Sequence, residues 1–157
     1  MKNFKYAFTM IELIFVIVVL GILSAVAIPK LSGVTEDANL AQGMATVSSL
    51  RAAIASERQR TLIKGNANYP DILDNADNTA DQELFDGNST VNILQYPIYA
   101  TTESGGWMKV TNSTVTATTL QYRFYINPSK YVDFNYTKAD GKFDCDHNDA
   151  NCKELLN

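Results

Sequence analysis

The apolar run from Phe8 to Ile28 constrains this chain more than any other feature. It contains one charged side chain, Glu12, in 21 residues. Because an α-helix rises about 1.5 Å per residue, the run would extend roughly 31 Å, close to the thickness of a bilayer's hydrocarbon core. The sequence therefore predicts a helix that can span a membrane, followed by a polar part of different character.

Glu12 needs an explanation, because an acid in hydrocarbon costs about 2.5–3.5 kcal/mol and is usually paired. After Lys5 no basic residue occurs in the run. A cut after Ala7 would create one partner, the new α-amine of Phe8, about one helical turn from the carboxylate. That amine could pair with Glu12 of its own chain or, if chains stack with an axial offset, with Glu12 of a neighbour.

Two other interpretations of the run are a secretory signal, cleaved after "LSAVA" at Ala27, and a generic signal anchor. The cleaved signal would discard everything before the cut. Neither interpretation accounts for Glu12, and the anchor does not account for Pro29.

The stretch "KYAFTMIELIFVIVVLGILSAVAIP" resembles the class III signal of type IV pilins and of type II secretion pseudopilins. The resemblance implies that prepilin peptidase removes the leader 1–7, cutting between Ala7 and Phe8, and then methylates the amine of Phe8. Ala7 stands where Gly is commoner in the family, but both residues are small. Glu12 matches the acid at the fifth mature position. The two leader lysines suit the cytoplasmic side of the membrane.

The resemblance also gives Gly21 and Pro29 a part in assembly, as positions that weaken the helix. Pro29 cannot donate a hydrogen bond to the carbonyl of Ala25, and its ring crowds that turn. Glycine costs about 1 kcal/mol relative to alanine inside a helix. In the family this stretch unwinds when subunits pack into a filament. A simple kink in a membrane helix is the alternative.

The helix is predicted to continue beyond the membrane. We expect residues 8–31 to form the transmembrane or filament-core part and residues 32–63 to form an amphipathic outer half, which ends near Gly65. The apolar residues of the outer half recur at three- and four-residue spacing, which predicts one buried face; they are Leu40, Met44, Val47, Leu50 and Ile54.

Residues 64–157 are predicted to form a β-rich head, which makes the fold class α+β. The outer half of the helix would pack on a small antiparallel sheet. A turn-rich connection would contain a short helix around Asp81 to Phe85. Strand-like runs follow at 90–99, 107–111, 119–127 and 130–137, and "NPS" between the last two favours a hairpin.

The tail contains the two cysteines of the chain, Cys145 and Cys152. Because the head should lie outside the inner membrane, where disulfides persist, we expect them to form a bridge that pins the C-terminus. The oxygen-bearing residues around them suggest either a calcium site or a solvated acidic turn; they are Asp144, Asp146, Asn148 and Asp149. The pattern lacks the Gly and the Glu of an EF-hand.

Two further motifs resemble the acidic-preceded glycosylation sequon of some bacteria: "DGNST" at 86–90 and "DFNYT" at 133–137. Asn88, in a loop, is the better acceptor of the two. Chance occurrence is the alternative, because the chain is rich in Asn and Thr.

The composition disfavours an enzyme and a nucleic-acid-binding protein. His147 is the only histidine, and no nucleophile motif, phosphate loop or zinc spacing occurs. The net charge is −4, and the head shows no basic stripe. We therefore expect a structural subunit of a type IV pilus or a type II secretion-like pseudopilus. Its partners would be related subunits, prepilin peptidase, an inner-membrane assembly platform with its ATPase, and the bilayer before assembly. The alternative is a signal-anchored extracytoplasmic binding domain that never polymerises.

Overall fold

The computed structural model describes residues 8–111 and 118–156. The chain forms two compact units, Met1–Asp37 and Ala38–Asn157. One long helix, α1 (Met10–Ile63), supplies the regular structure of the first unit and opens the second. Small antiparallel sheets follow in the second unit. The predicted α+β class, with a long apolar N-terminal helix before a small sheet, is confirmed.

The C-terminal end of α1 is set by Gly65, as the sequence predicted. Gly65 has a φ of 84°, a conformation that glycine adopts without steric cost. Its N–H donates to the carbonyl of Leu62, and the N–H of Asn66 donates to the carbonyl of Thr61. This pair of bonds is a Schellman motif, which satisfies carbonyls that the last helical turn would leave without partners.

The outer half of α1 buries one face in the head. Val47, Leu50 and Ile54 are buried there, as predicted, whereas Met44 is 39% exposed and the prediction that it packs in the core is wrong. Gly43 lies on the buried face instead. A Cβ at Gly43 would come within 2.5 Å of the ring of Phe124, so the helix approaches the sheet too closely for any side chain at this position.

The elements described after α1 are β1 (Glu83–Leu84), β2 (Ile98–Tyr99), β3 (Trp107–Lys109), β4 (Thr119–Asn127), β5 (Lys130–Thr137), β6 (Lys142–Cys145) and α2 (Ala150–Leu156). The described strands form two antiparallel sheets, one of β1 and β2 and one of four strands in the order β3-β4-β5-β6.

The β4–β5 hairpin follows the prediction closely. Asn127 pairs with Lys130 across a turn made by Pro128 and Ser129. Alternate residues of both strands point into the core and are fully buried, which is the period-two pattern of a sheet covered on one face; they are Leu120, Tyr122, Phe124, Ile126, Val132, Phe134 and Tyr136.

The expected short helix around Asp81 to Phe85 is wrong. Asp81 and Phe85 have φ values of 63° and 61°, outside the right-handed helical region. Phe85 is fully buried, and its ring contacts Trp107 and Tyr122 at centroid distances of 5.6 and 4.7 Å. Burial of this ring in the aromatic core, which local propensity does not encode, determines the backbone here.

The strand predicted over 90–99 is limited to Ile98–Tyr99, and the strand predicted over 107–111 ends at Lys109. Pro97 has no N–H to donate to a sheet ladder. Before it, the chain follows a loop in which the N–H of Leu94 donates to the carbonyl of Phe85. The apolar residues in this stretch serve the core without forming a strand.

A buried ion pair holds the connecting segment to the sheet. Lys109 Nζ lies 2.6 Å from Asp74 Oδ1, and both side chains are fully buried. The other carboxylate oxygen of Asp74 accepts hydrogen bonds from the hydroxyl of Tyr122 and the N–H of Phe85. Burial, followed by the neighbouring Asp74 charge, raises the pKa of Tyr122 well above its ordinary value. Tyr122 therefore remains a neutral hydrogen-bond donor.

Candidate functional site

The start of α1 is closed by a capping box between Thr9 and Glu12. The N–H of Thr9 donates to Glu12 Oε2 at 3.3 Å, and the N–H of Glu12 donates to Thr9 Oγ1 at the same distance. The hydroxyl of Thr9 also donates to Glu12 Oε2 at 3.2 Å. Two N–H groups that the first helical turn leaves without partners are thereby satisfied, and a negative charge lies at the positive end of the helix dipole.

This cap answers part of the question that Glu12 raises. Within the described chain, the carboxylate already has hydrogen-bond donors at the helix start, so it is not a bare charge on an apolar rod. The motif Thr9-Met10-Ile11-Glu12 has the Ser/Thr-x-x-Glu spacing of a capping box. That spacing was the signal from which Thr9 could have been identified in the sequence.

Among the described residues, the apolar side chains on either side of the cap are largely exposed. Phe8, Ile14 and Leu23 are 78%, 53% and 61% exposed. α1 is the one described helix that is long and apolar enough to cross a membrane, and its most apolar stretch lies near the N-terminus with none of it buried. A surface of this kind requires lipid or other protein around it.

The helix is not interrupted at either of the two residues that were expected to weaken it. α1 continues through Gly21 and Pro29. A Cβ at Gly21 would meet no atom within 4 Å, so packing within the chain does not require glycine there. Unwinding on assembly stays a prediction, and it would have to come from contacts with other molecules.

The structure describes only the C-terminal side of the expected cleavage site. Ala7 and the rest of the leader lie outside the described residues. Phe8 lies just before the capping box with its ring exposed. Cleavage between them and methylation of Phe8 stay predictions.

The predicted disulfide is confirmed. Cys145, at the end of β6, is bonded to Cys152 in α2, with their α-carbons 6.0 Å apart. Cys152 and Leu155 are fully buried, and Lys130 Nζ lies 2.8 Å from Glu154 Oε1. The bridge, an apolar contact and an ion pair together hold the C-terminal segment on the head.

The acidic residues around the bridge each have a separate partner. Asp144 accepts hydrogen bonds from Arg51 and lies 3.1 Å from His147 Nε2. Asp146 accepts the N–H of Asn148, and Asp149 accepts the N–H of Asn151, which is the N-cap pattern at the start of α2.

These contacts do not fit a calcium site. Within residues 8–111 and 118–156, no group of three or more His, Cys, Asp or Glu side chains is placed to hold a metal ion. Asp144, Asp146 and Asp149 therefore do not converge on one point. The side-chain nitrogen of Asn148 donates to Asp146 Oδ1, whereas in a cation site both side chains would direct oxygens at the ion. We derive no function from calcium.

Asn88 lies in a tight turn between Gly87 and Val91. Its N–H donates to the carbonyl of Val91 at 2.7 Å, and its side-chain oxygen accepts the N–H of Thr90 at 2.8 Å. Asn135, in the other sequon, lies inside β5.

A family model and a curated relative match parts of this chain. A family model described as the prokaryotic N-terminal methylation motif matches residues 2–28. Over 48 residues, 31% of this chain, the sequence is 48% identical to the type IV narrow pilus major component PilA5 of Thermus thermophilus. The match covers 41% of that relative. No solved structure matches the chain. The resemblance that the sequence suggested is confirmed for its N-terminal motif.

Proposed function

We propose that the chain, whose N-terminal segment matches the prokaryotic methylation motif and which is similar in part to a type IV pilin, is a structural subunit, a pilin or pseudopilin, that polymerises into a filament. The observation that supports the proposal is the helical surface after Glu12, which is apolar and exposed in the described part of the chain. The family is one of structural proteins. The relative named as a narrow-pilus component favours a pilus over a secretion pseudopilus.

In this proposal the chain begins as a single-pass protein of the bacterial inner membrane with its head in the periplasm. Prepilin peptidase cuts between Ala7 and Phe8 and methylates the new amine. An assembly platform driven by an ATPase then moves the subunit from the bilayer into a filament with related subunits. The filament remains periplasmic or reaches the cell surface. The apolar segment is solvated by lipid before this step and by neighbouring helices after it.

The hydrophobic effect alone does not drive that transfer, because lipid tails solvate apolar side chains as well as a helix bundle does. A polar contact that is made only in the filament therefore has a large influence on the free energy of transfer from the bilayer to the filament. The carboxylate of Glu12 can leave the N–H and hydroxyl of Thr9 and pair with the amine of Phe8 in a neighbouring subunit. In that contact both partners are charged, whereas in the hydrogen bonds that it replaces only the Glu12 carboxylate is charged.

The test separates the charge of Glu12 from its capping role. Glu12→Gln keeps the capping-box pattern, since glutamine also serves at this position, but it removes the charge. Thr9→Ala removes the cap and keeps the charge. We expect Glu12→Gln to abolish filaments in sheared fractions and electron micrographs while the protein accumulates in the membrane. Thr9→Ala should still assemble.

The matched control is Asp37→Asn, which removes an exposed carboxylate from the same helix beyond the apolar run. It should assemble normally. In all three variants mass spectrometry should find a chain that begins at Phe8 and carries one added methyl. An intact Met1, or normal filaments from Glu12→Gln, would contradict the proposal.

A further inference from the structure

The head contains two stretches in which an acid precedes an asparagine by two positions and a threonine follows it by two. They are 86–90, with Asn88, and 133–137, with Asn135. An asparagine in such a sequence can accept an oligosaccharide on its side-chain nitrogen. The fold places the two asparagines in different surroundings, so it discriminates between them where the sequence does not.

Asn88 lies in a turn that orients its amide. The side-chain oxygen accepts three hydrogen bonds, from the N–H of Thr90 at 2.8 Å, the hydroxyl of Thr90 at 3.0 Å and the N–H of Val91 at 2.8 Å. The nitrogen Nδ2 makes no hydrogen bond to any described residue. The oxygen is thus fixed on the protein side, and the nitrogen is left for an external partner.

The ends of the turn are fastened while its tip is exposed. The N–H of Gly87 donates to the carbonyl of Leu73, and Arg60 donates to the carbonyl of Thr90, both at 2.8 Å. Ser89 and Thr90 are exposed. Gly87, with a φ of 86°, allows the reversal: a Cβ there would lie 2.0 Å from the carbonyl oxygen of Val91.

Asp86, the acid of this sequon, is weakly held. Its Oδ1 is buried and has no hydrogen-bond partner among the described residues. Burial raises the pKa of Asp86, because removal from water disfavours the charged carboxylate. A partner with a cationic group could therefore draw this carboxylate out of the head at little cost.

Asn135 is placed where no enzyme can bend the chain around it. It pairs with Gln121 of β4 on one side and with Asp144 of β6 on the other. Its neighbours Phe134 and Tyr136 are fully buried. The side chain of Asn135 is exposed, but bending the backbone around it would require β5 to leave the middle of the sheet.

We propose that Asn88 is an N-glycosylation site of a membrane oligosaccharyltransferase that recognises the acid two residues before the acceptor. Nδ2 of Asn88 attacks C1 of the first sugar of a lipid-diphosphate-linked oligosaccharide. The bond between C1 and the diphosphate oxygen breaks, the lipid diphosphate leaves, and Nδ2 loses one proton to a base of the enzyme. In the cell, modification also depends on the periplasmic head that the proposed function assumes.

The experiment incubates the purified full-length chain in detergent with a purified transferase of this class and its lipid-linked donor. Intact mass should rise by one oligosaccharide, and peptide mapping should locate it on Asn88. Asn88→Gln and Thr90→Ala should abolish the gain. The matched control Asn135→Gln should retain it in full. Asp86→Glu should retain it, whereas Asp86→Asn should reduce it at least tenfold.

The fluorescence of Trp107 confirms that each variant is folded before it is scored. The proposal is overturned if the wild-type chain gains no mass, if the gain survives Asn88→Gln, or if it maps to Asn135. Because membrane orientation and filament assembly do not enter this reaction, its result is independent of the proposed function. A chain that is modified in this reaction but not in cells would instead count against the periplasmic head.

Discussion

The two units of this chain contain apolar side chains in opposite circumstances. In the described part of Met1–Asp37, residues such as Ile11 and Leu20 are 76% and 55% exposed, and they contact nothing that stabilises a fold. In Ala38–Asn157, residues such as Leu50 and Phe124 are fully buried among aromatic and aliphatic neighbours. The same residue types are exposed, and so free to contact lipid or another protein, in one unit, and they form the core in the other.

This difference teaches that hydrophobicity alone does not locate the core of such a protein. The most apolar stretch is the least buried one. Substitutions in the head should therefore change the free energy of unfolding. Substitutions in the apolar segment should change assembly and leave unfolding of the head as it was. Trp107, the only tryptophan and 1% exposed, reports on the head specifically.

The sharpest test of the contrast compares two hydrogen-bonded carboxylates. Asp74→Ala leaves the charge of Lys109 buried without its partner, so we expect a loss of about 3–5 kcal/mol in the free energy of unfolding. Glu12→Ala should leave this free energy unchanged. Guanidinium titration of the full chain in detergent, followed by Trp107 fluorescence, measures both. Replacing the pair together, as Asp74→Asn with Lys109→Met, should recover most of the loss.

Removing the bridge should produce the next largest effect. Cysteines seven positions apart in sequence close a short loop, for which we expect a loss of about 2 kcal/mol. The double variant Cys145→Ser with Cys152→Ser should therefore lower the Trp107 unfolding midpoint. A reductant should shift the wild-type midpoint to the same value and leave the variant unmoved. A wild-type midpoint insensitive to complete reduction would show that packing alone holds the tail.

A pair of glycines provides a test in which the two units should respond with opposite signs. In Gly43→Ala the new Cβ would overlap the ring of Phe124 and a methyl group of Leu155. The free energy of unfolding of the head should therefore fall by about 1 kcal/mol, although alanine has the better helix propensity. In Gly21→Ala the Cβ meets open space, and the helix should gain about 1 kcal/mol. Fluorescence of Trp107 measures the first, and helicity by circular dichroism in detergent measures the second.

The smallest expected effect is a dependence on pH centred on Asp144. Burial opposes ionisation of this carboxyl, but hydrogen bonds from His147, Lys142 and the N–H of Cys145, with the charge of Arg51, outweigh it and lower the pKa. A lowered folded pKa stabilises the head above the ordinary pKa of about 3.9, and that stability is lost as the pH falls through the folded value. Between pH 7 and pH 3, Asp144 should account for a fall of under about 1 kcal/mol in the free energy of unfolding. In Asp144→Asn this part of the pH dependence should be absent. An unaltered pH profile in that variant would contradict this assignment.

Much of the fold could be read from local patterns, and the exceptions share a cause. The hairpin at Pro128 and Ser129 and the helix end at Gly65 follow from turn chemistry and period-two alternation. Phe85 and Met44 were misjudged because tertiary packing decided them: a buried ring imposed a left-handed backbone, and close helix–sheet contact selected Gly43. The pair of Asp74 and Lys109 was missed because no local pattern brings residues so far apart in sequence together.

The candidate site was predictable to a different degree. The motif around Glu12 was recognisable from spacing, and the bridge from the two cysteines. The acidic tail left a calcium site and a solvated turn as alternatives, because oxygen-bearing residues at regular intervals also occur as caps and turn closures, as at Asp146 and Asp149. Only three-dimensional placement separates a ligand set from a series of local hydrogen bonds.

The capping box has a consequence for how quickly subunits change state. Because Glu12 is already satisfied by Thr9, the proposed entry into a filament would exchange one set of partners for another and would not rescue an unpaired charge. The equilibrium between membrane and filament then depends on a small difference in free energy between the two sets of contacts. The rate of entry into the filament depends on first breaking the bonds between Thr9 and Glu12. A subunit with such a latch is expected to wait stably in the membrane and to return there when the filament shortens. Weakening the bonds between Thr9 and Glu12 should therefore hasten entry into the filament.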